Sequence, residues 1–196
     1  MYVSTQIKTT SLKPLSGSQM NNIRPYLKHV PQIADSAFID SSAVVIGRVS
    51  IAENASIWCN VVIRGDVAAI SIAENSNIQD LTMLHVTHDN PGKTVETSLI
   101  IGKNVTVGHN CCLHACQLHN NILVGMGTTI LDNVVVEENV MIGAGSLVPQ
   151  GKRLAAGHLY FGNPVKQIRP LTAAEIAHLA YSAQHYVKIA HNHKNS

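Results

Sequence analysis

An aliphatic residue returns at every sixth position through much of this chain, and that single period excludes most folds. Ile33, Ile39, Val45, Ile51, Ile57 and Ile63 keep the spacing without a break. It resumes at Ile72, Ile78 and Leu84, at Ile101, Val107 and Leu113, and at Leu118, Val124, Ile130, Val136, Ile142 and Val148. Four places after many of these stands a small residue, as at Ala37, Ala43, Ala55, Ser76, Cys111, Thr128 and Ser146. Such a period is neither the 3.6 of a helix nor the 2 of a flat strand. It describes a chain that runs straight for a few residues, turns a corner and repeats, so that three sides close one triangular coil. Stacked coils then pair as parallel strands about 4.8 Å apart, with each aliphatic residue pointing inward. The expectation is an all-β solenoid, a left-handed parallel β-helix of about six coils, with the repeat ending after Val148.

The chain has 196 residues and 45% apolar content, which suits one domain with its own core. Only 13% is charged, and a net charge of +2 without a run of Lys or Arg offers no electrostatic footprint for nucleic acid. Cys59, Cys111, Cys112 and Cys116 lack the paired spacing of a zinc knuckle or a secreted disulfide framework, so they read as reduced filler. Residues 1–19 are polar, lack the apolar stretch of a secretory signal and are expected to form a flexible extension, with Met20 as a second candidate start. No stretch reaches 18 consecutive apolar residues, so no membrane span is expected and a cytoplasmic location follows.

Two insertions interrupt the period. Nine residues separate Ile63 from Ile72, three more than one step, and seventeen separate Leu84 from Ile101, eleven more than one step. Insertions in a solenoid are expected to leave as loops, the second projecting from a corner at about residues 87–97. The step from Leu113 to Leu118 is one residue short. The β-helix is therefore expected over residues 20–169, with a helix and tail over 170–196. Thr172 and Glu175 have the spacing of a capping box, and Ile176, Leu179, Ala183, Tyr186 or Val187, and Ala190 form an apolar stripe to lie along the solenoid.

The same arithmetic aligns polar residues. Ile63, Leu84 and Leu113 occupy one side of three successive coils once the insertions are subtracted, and the residue after each points outward. Those residues are Arg64, His85 and His114, where other coils hold small residues such as Ala52, Gly102 or Gly125. On the preceding side, Asp80 and His109 each follow Ile78 and Val107 by two positions and form a second column. His85 and His114 can meet at one metal ion, whereas His109 faces elsewhere and suits the pair of a neighbouring chain. A threefold assembly would complete three shared sites.

Arg64-Gly65-Asp66, Asn77-Ile78-Gln79-Asp80, Leu84-His85 and Val107-Gly108-His109 followed by His114 resemble the gamma-class carbonic anhydrase family, in particular its shorter bacterial members. The similarity spans residues 20–190 and includes Tyr160, Gly162, Asn163 and Pro164. The resemblance implies a homotrimer in which His85 and His114 of one chain and His109 of the next bind Zn2+, with Fe2+ or Co2+ as alternatives. It also implies reversible hydration of carbon dioxide to bicarbonate by a metal-activated hydroxide. Gln79 would hydrogen-bond the water or bicarbonate, Arg64 with Asp66 and Asp80 would form ion pairs across the interface, and Tyr160 would close the pocket or pack beside it. Two family glutamates are replaced, by Val67 and His88. His88 is the candidate substitute for the proton shuttle, set against a plain loop histidine, because imidazole exchanges protons near neutral pH.

Two other functions fit the repeat. A hexapeptide-repeat acyltransferase or thioesterase acting on acyl-coenzyme A would use one histidine as general base or a metal-bound hydroxide, and a non-catalytic metal-binding assembly protein would do no chemistry.

Overall fold

The computed structural model describes residues 22–88 and 97–196. The extension expected over residues 1–19 and most of the loop expected at 87–97 lie outside the described residues. The chain winds as a left-handed, three-sided parallel β-helix. Side one stacks β1 (Ile23–Arg24), the first part of β4 (Val44–Ile51) and of β6 (Val62–Ile72), then β8 (Met83–His85), β11 (Cys112–His114), β14 (Thr129–Ile130) and β17 (Leu147–Val148). Side two stacks β2 (Gln32–Ile33), the later parts of β4 and β6, β9 (Leu99–Ile101), β12 (Gln117–Leu118), β15 (Val135–Val136) and β18 (Arg153–Leu154). Side three stacks β3 (Phe38–Ile39), β5 (Ser56–Ile57), β7 (Asn77–Ile78), β10 (Thr106–Val107), β13 (Ile122–Val124), β16 (Val140–Ile142) and β19 (His158–Gly162), after which β20 (Val165–Pro170) turns back antiparallel.

The aliphatic columns fill the interior. Val45, Ile63, Leu84, Leu113, Ile130 and Val148 are fully buried on side one, as are Ile57, Ile78, Val107, Val124 and Ile142 on side three. The small residues mark the corners, and their hydroxyls satisfy backbone groups that the turns leave unpaired. Ser76 Oγ donates to the Gly102 carbonyl at 2.7 Å and Ser146 Oγ to that of Gly143 at 2.6 Å.

Two expectations need correction. The repeat does not end at Val148: Leu154 and Tyr160 continue the step of six and are buried, so side three carries a seventh parallel strand. Leu154 fits the pattern of Ile, Leu and Val, and only Tyr160 departs from it with an aromatic ring. The first insertion does not leave as a loop. It is absorbed into β6, which runs for 11 residues through a corner, with a register shift between Gly47 and Val49 in the facing strand. Gly47 and Gly65 permit this approach, since a Cβ at Gly65 would stand 2.7 Å from the Arg48 carbonyl oxygen. The short step after Leu113 is taken up by Ala115, which adopts a left-handed backbone with φ 41.

A feature of the corners was not read from the sequence. Asn54, Asn75, Asn104 and Asn121 all adopt positive φ, the conformation asparagine tolerates better than most residues. Their side chains form a ladder up one edge, with Asn75 Nδ2 donating to Asn104 at 3.1 Å and Asn104 Nδ2 to Asn121 at 3.0 Å.

The helix α1 (Ala173–Lys194) starts as its cap predicts: Thr172 and Glu175 form the reciprocal capping box, and Arg169 grips the same carboxylate through both terminal nitrogens. It lies on side three against β3, β5, β7 and β10, running back toward the first coil. Ser182 meets Thr106 at 3.3 Å, His193 packs on Phe38 and Trp58, and Lys194 Nζ donates to the carbonyls of Asp35 and Ala37. Leu179, Ala183 and Ala190 are buried beneath it. Ile176, expected in that stripe, is exposed, because the strands that α1 packs on meet the later turns of the helix.

Candidate metal centre

Strand pairing sets His114 directly above His85, and the two coils bring the rings together: His85 Nδ1 and His114 Nε2 are 3.0 Å apart. Each ring is held from its other side by a carboxylate. His85 Nε2 lies 3.1 Å from Asp66 Oδ1, one coil below, and His114 Nδ1 lies 2.5 Å from Asp132 Oδ1, one coil above. A carboxylate only accepts, so in a neutral ring the nitrogen facing it carries the proton. The facing nitrogens of His85 and His114 therefore both present lone pairs. Two lone pairs at that separation call for a cation, a proton or a metal.

Burial, opposed by the hydrogen bond that His85 donates to Asp66, holds His85 below the ordinary imidazole range, which favours the neutral form that binds metals. Asp66 is pushed up by burial, but hydrogen bonds from Arg64 and His85 outweigh this and keep its carboxyl below the usual range. Arg64 pairs with Asp66 of its own chain, and the Val67 amide donates to the same carboxylate at 2.9 Å.

His109 stands apart from the pair, at the corner following β10. Its Nδ1 is 2.8 Å from Asp80 Oδ2, which leaves Nε2 free on a side chain that is 45% exposed. Among the described residues of one chain, no three His, Cys, Asp or Glu side chains group to hold a metal. Asp80, expected as an interface ion-pair partner, is engaged by its own chain's His109. Gln79 is buried under α1, its amide nitrogen donating to Asn77 at 3.1 Å, within a polar ladder that continues through Thr106 to Ser182. His88 is exposed at the edge of the described residues. Tyr160 lies inside the last coil, its hydroxyl bonded to the Ala155 amide and to Gln167. Val124 and Ile142 separate it along side three from the coil of His109.

Sequence reasoning missed two participants. Asp132 carries no motif, and only the coil register reveals it. Tyr186 of α1, which with Val187 is one of two choices for that place in the stripe, packs edge-on against Trp58 at 5.8 Å, and burial, together with the charge of Asp80, pushes its phenol up. The cysteines are all free, and burial pushes the Cys111 thiol up to about 11 and that of Cys116 further, which disfavours the thiolate at both. No described helix is long and apolar enough to cross a membrane.

No family model matches the chain. It is 44% identical to the carbonic anhydrase of Geobacillus kaustophilus over 166 residues, covering 85% of this chain and 87% of that protein. The mitochondrial gamma carbonic anhydrase 2 of Arabidopsis thaliana is 45% identical over 164 residues, 83% of this chain and 58% of the plant protein. The chain belongs to the gamma-class carbonic anhydrase family. It is also 55% identical to protein YrdA of Escherichia coli over 166 residues, 85% of this chain and 90% of YrdA. Among solved structures, a hexapeptide transferase family protein from Anaplasma phagocytophilum superposes with a TM-score of 0.82 at 42% identity, covering 88% of this chain and 99% of that one. The gamma-class fold is thus shared with proteins named as transferases.

Proposed function

We propose that this protein is a metal-dependent carbonic anhydrase, acting as a homotrimer whose sites each combine His85 and His114 of one chain with His109 of the next. One observation carries the reading: each of the three histidines has one ring nitrogen tied to a carboxylate, Asp66, Asp80 or Asp132, and the other available. That is the arrangement that orients metal-ligating imidazoles and raises their basicity. The donor set also fits in size. Two nitrogens at about 2.0–2.1 Å from a tetrahedral zinc ion lie about 3.3 Å apart, and His85 and His114 approach to 3.0 Å. Zinc is the first choice, and Fe2+ or Co2+ is compatible with imidazole ligands.

When bound, such a metal supplies Lewis acidity that lowers the pKa of water to about 7. The chain's own groups do the rest. Asp66 would hold the His85 imidazole in the tautomer whose Nδ1 lone pair is open to a metal. Gln79, one residue before Asp80, orients the attacking oxygen or the bicarbonate product. Tyr186 of α1 walls the same corner. Hydration converts carbon dioxide and water into bicarbonate and a proton, and that proton must reach solvent. His88 stands where the family carries a glutamate and is the candidate carrier.

Support for the shared site comes from the surface around the histidines. Leu81, Met83 and Met126 are exposed there, and Leu81 holds a left-handed backbone, φ 63, at a corner where equivalent coils use Asn60 and Asn110. A leucine kept exposed and strained suits burial against a second copy of the chain.

The Asp80–His109 pair favours a second reading. A histidine with one nitrogen fixed by a carboxylate and the other exposed is also a general base, and could activate an acceptor for acyl transfer from an acyl-coenzyme A. Elemental analysis of protein purified without added metal or a histidine tag separates the two, followed by stopped-flow hydration before and after reconstitution with zinc or ferrous iron. Light scattering should give about three times 21.1 kDa. Absence of bound metal and of hydration after reconstitution would leave the acyl-transfer reading.

A further inference from the structure

We propose that Asp132 is the positioning residue of this site, fixing His114 as the Nδ1–H tautomer and aiming its Nε2 at the point that His85 Nδ1 also faces. The inference rests on the metal-site reading for its consequence, but not for its geometry.

Asp132 follows β14 at a corner of the coil above His114. Its backbone is tied into the stack on both sides: its carbonyl accepts from the Gly151 amide at 2.8 Å, and the next residue, Asn133, donates to the Ala115 carbonyl at 2.8 Å. The carboxylate therefore stands on a fixed platform and reaches down to His114 Nδ1. The equivalent position in the adjoining coils holds Ala115 below and Gln150 above, so neither neighbouring coil offers a carboxylate there. With a side chain that is 25% exposed, the interaction is only partly screened by water.

The alternative tautomer would turn a lone pair toward the carboxylate and a proton toward His85. It would exchange the charge-assisted hydrogen bond to Asp132 for a neutral N–H···N bond to the His85 Nδ1 lone pair, the weaker of the two. Asp132 thus does for His114 what Asp66 does for His85, from the opposite end of a four-residue chain, Asp66–His85–His114–Asp132. Unlike Asp66, it shares its charge with no arginine among the described contacts.

The test uses the full chain, metal-free and labelled with 15N at histidine, with His114 assigned by comparison with His114→Ala. Ring-nitrogen spectra should show His114 protonated at Nδ1 in the wild type and in Asp132→Asn, whose amide oxygen still accepts. Asp132→Ala should show a mixture of tautomers or the reverse one. Competition titration with zinc should then give about 10–100-fold weaker binding for Asp132→Ala and a smaller loss for Asp132→Asn. An unchanged His114 tautomer in Asp132→Ala would overturn the assignment, whatever happens to thermal stability. If the wild type takes up no zinc, the proposed function falls, and the tautomer result alone still decides the role of Asp132.

Discussion

His109 and Asp80 meet at 2.8 Å on the corner beside the helix-covered side, while His85 and His114 meet at 3.0 Å on the next side of the same coils. In the proposed reading one chain would carry both halves of a three-histidine site facing different directions, and a threefold assembly would join one chain's pair to the single histidine of another.

That division makes complementation quantitative. His109→Ala and His114→Ala trimers should each lose most metal, because two ligands hold the ion poorly. Unfolded together in equal amounts and refolded, they should regain about one quarter of the wild-type sites, the fraction of interfaces that joins an intact pair to an intact His109. Normal trimers without any recovered metal would mean that all three ligands come from one chain.

Leu81 offers a check on the surface itself. Leu81→Asn should relieve about 1 kcal/mol of left-handed backbone strain within the chain. It should also weaken association by roughly tenfold or more, since a buried leucine contributes about 1.5–3 kcal/mol. Sedimentation equilibrium measures the second effect. A variant that is more stable and still fully trimeric would put Leu81 outside the contact.

Proton removal should limit turnover, because Val67 and His88 stand where the family has glutamates. Hydration in dilute buffer should be slow and rise with imidazole concentration, and His88→Ala should steepen that dependence. A rate that is high, indifferent to buffer and unchanged in His88→Ala would require another exit.

At low pH the helix cap should fail before the solenoid. The hydrogen bond from Arg169, reinforced by the Thr172 amide, holds Glu175 down to about 2 from an ordinary 4.5. A carboxyl with a depressed folded value stabilises the fold above its unfolded value and loses that contribution as pH falls from there toward the folded value. Loss of helix signal by circular dichroism should thus begin below pH 4.5 and deepen toward pH 2. Glu175→Gln, lacking the charge, should flatten that part of the curve, and an identical acid limb in the variant would show that other groups control the helix.

Residue spacing was enough to read the β-helix and the two polar columns, because stacking adds one coil per 18 residues and insertions simply add to the count. Subtracting them aligned His85 with His114 and Asp80 with His109, as the strand pairing does. The helix start was legible for a similar local reason, since a capping box spans four adjacent residues. Leu154 and Tyr160 keep the period too, so the seventh coil is also written in the spacing, with an aromatic ring in its last inward position.

What only the tertiary structure decided is which side chains meet across coils. Asp132 reaches His114 because a corner residue's carboxylate points down the stack, and no linear spacing encodes a side-chain direction at a turn. Tyr186 reaches the neighbourhood of Asp80 because α1 runs back along side three, a path set by packing at Ser182, His193 and Lys194. The sequence by itself determined the solenoid and the register of its histidines, since both follow from a repeating length. The carboxylates that orient those histidines, and the helix that walls their corner, depend on contacts between residues 18 or more positions apart, and these exist only once the coils have stacked.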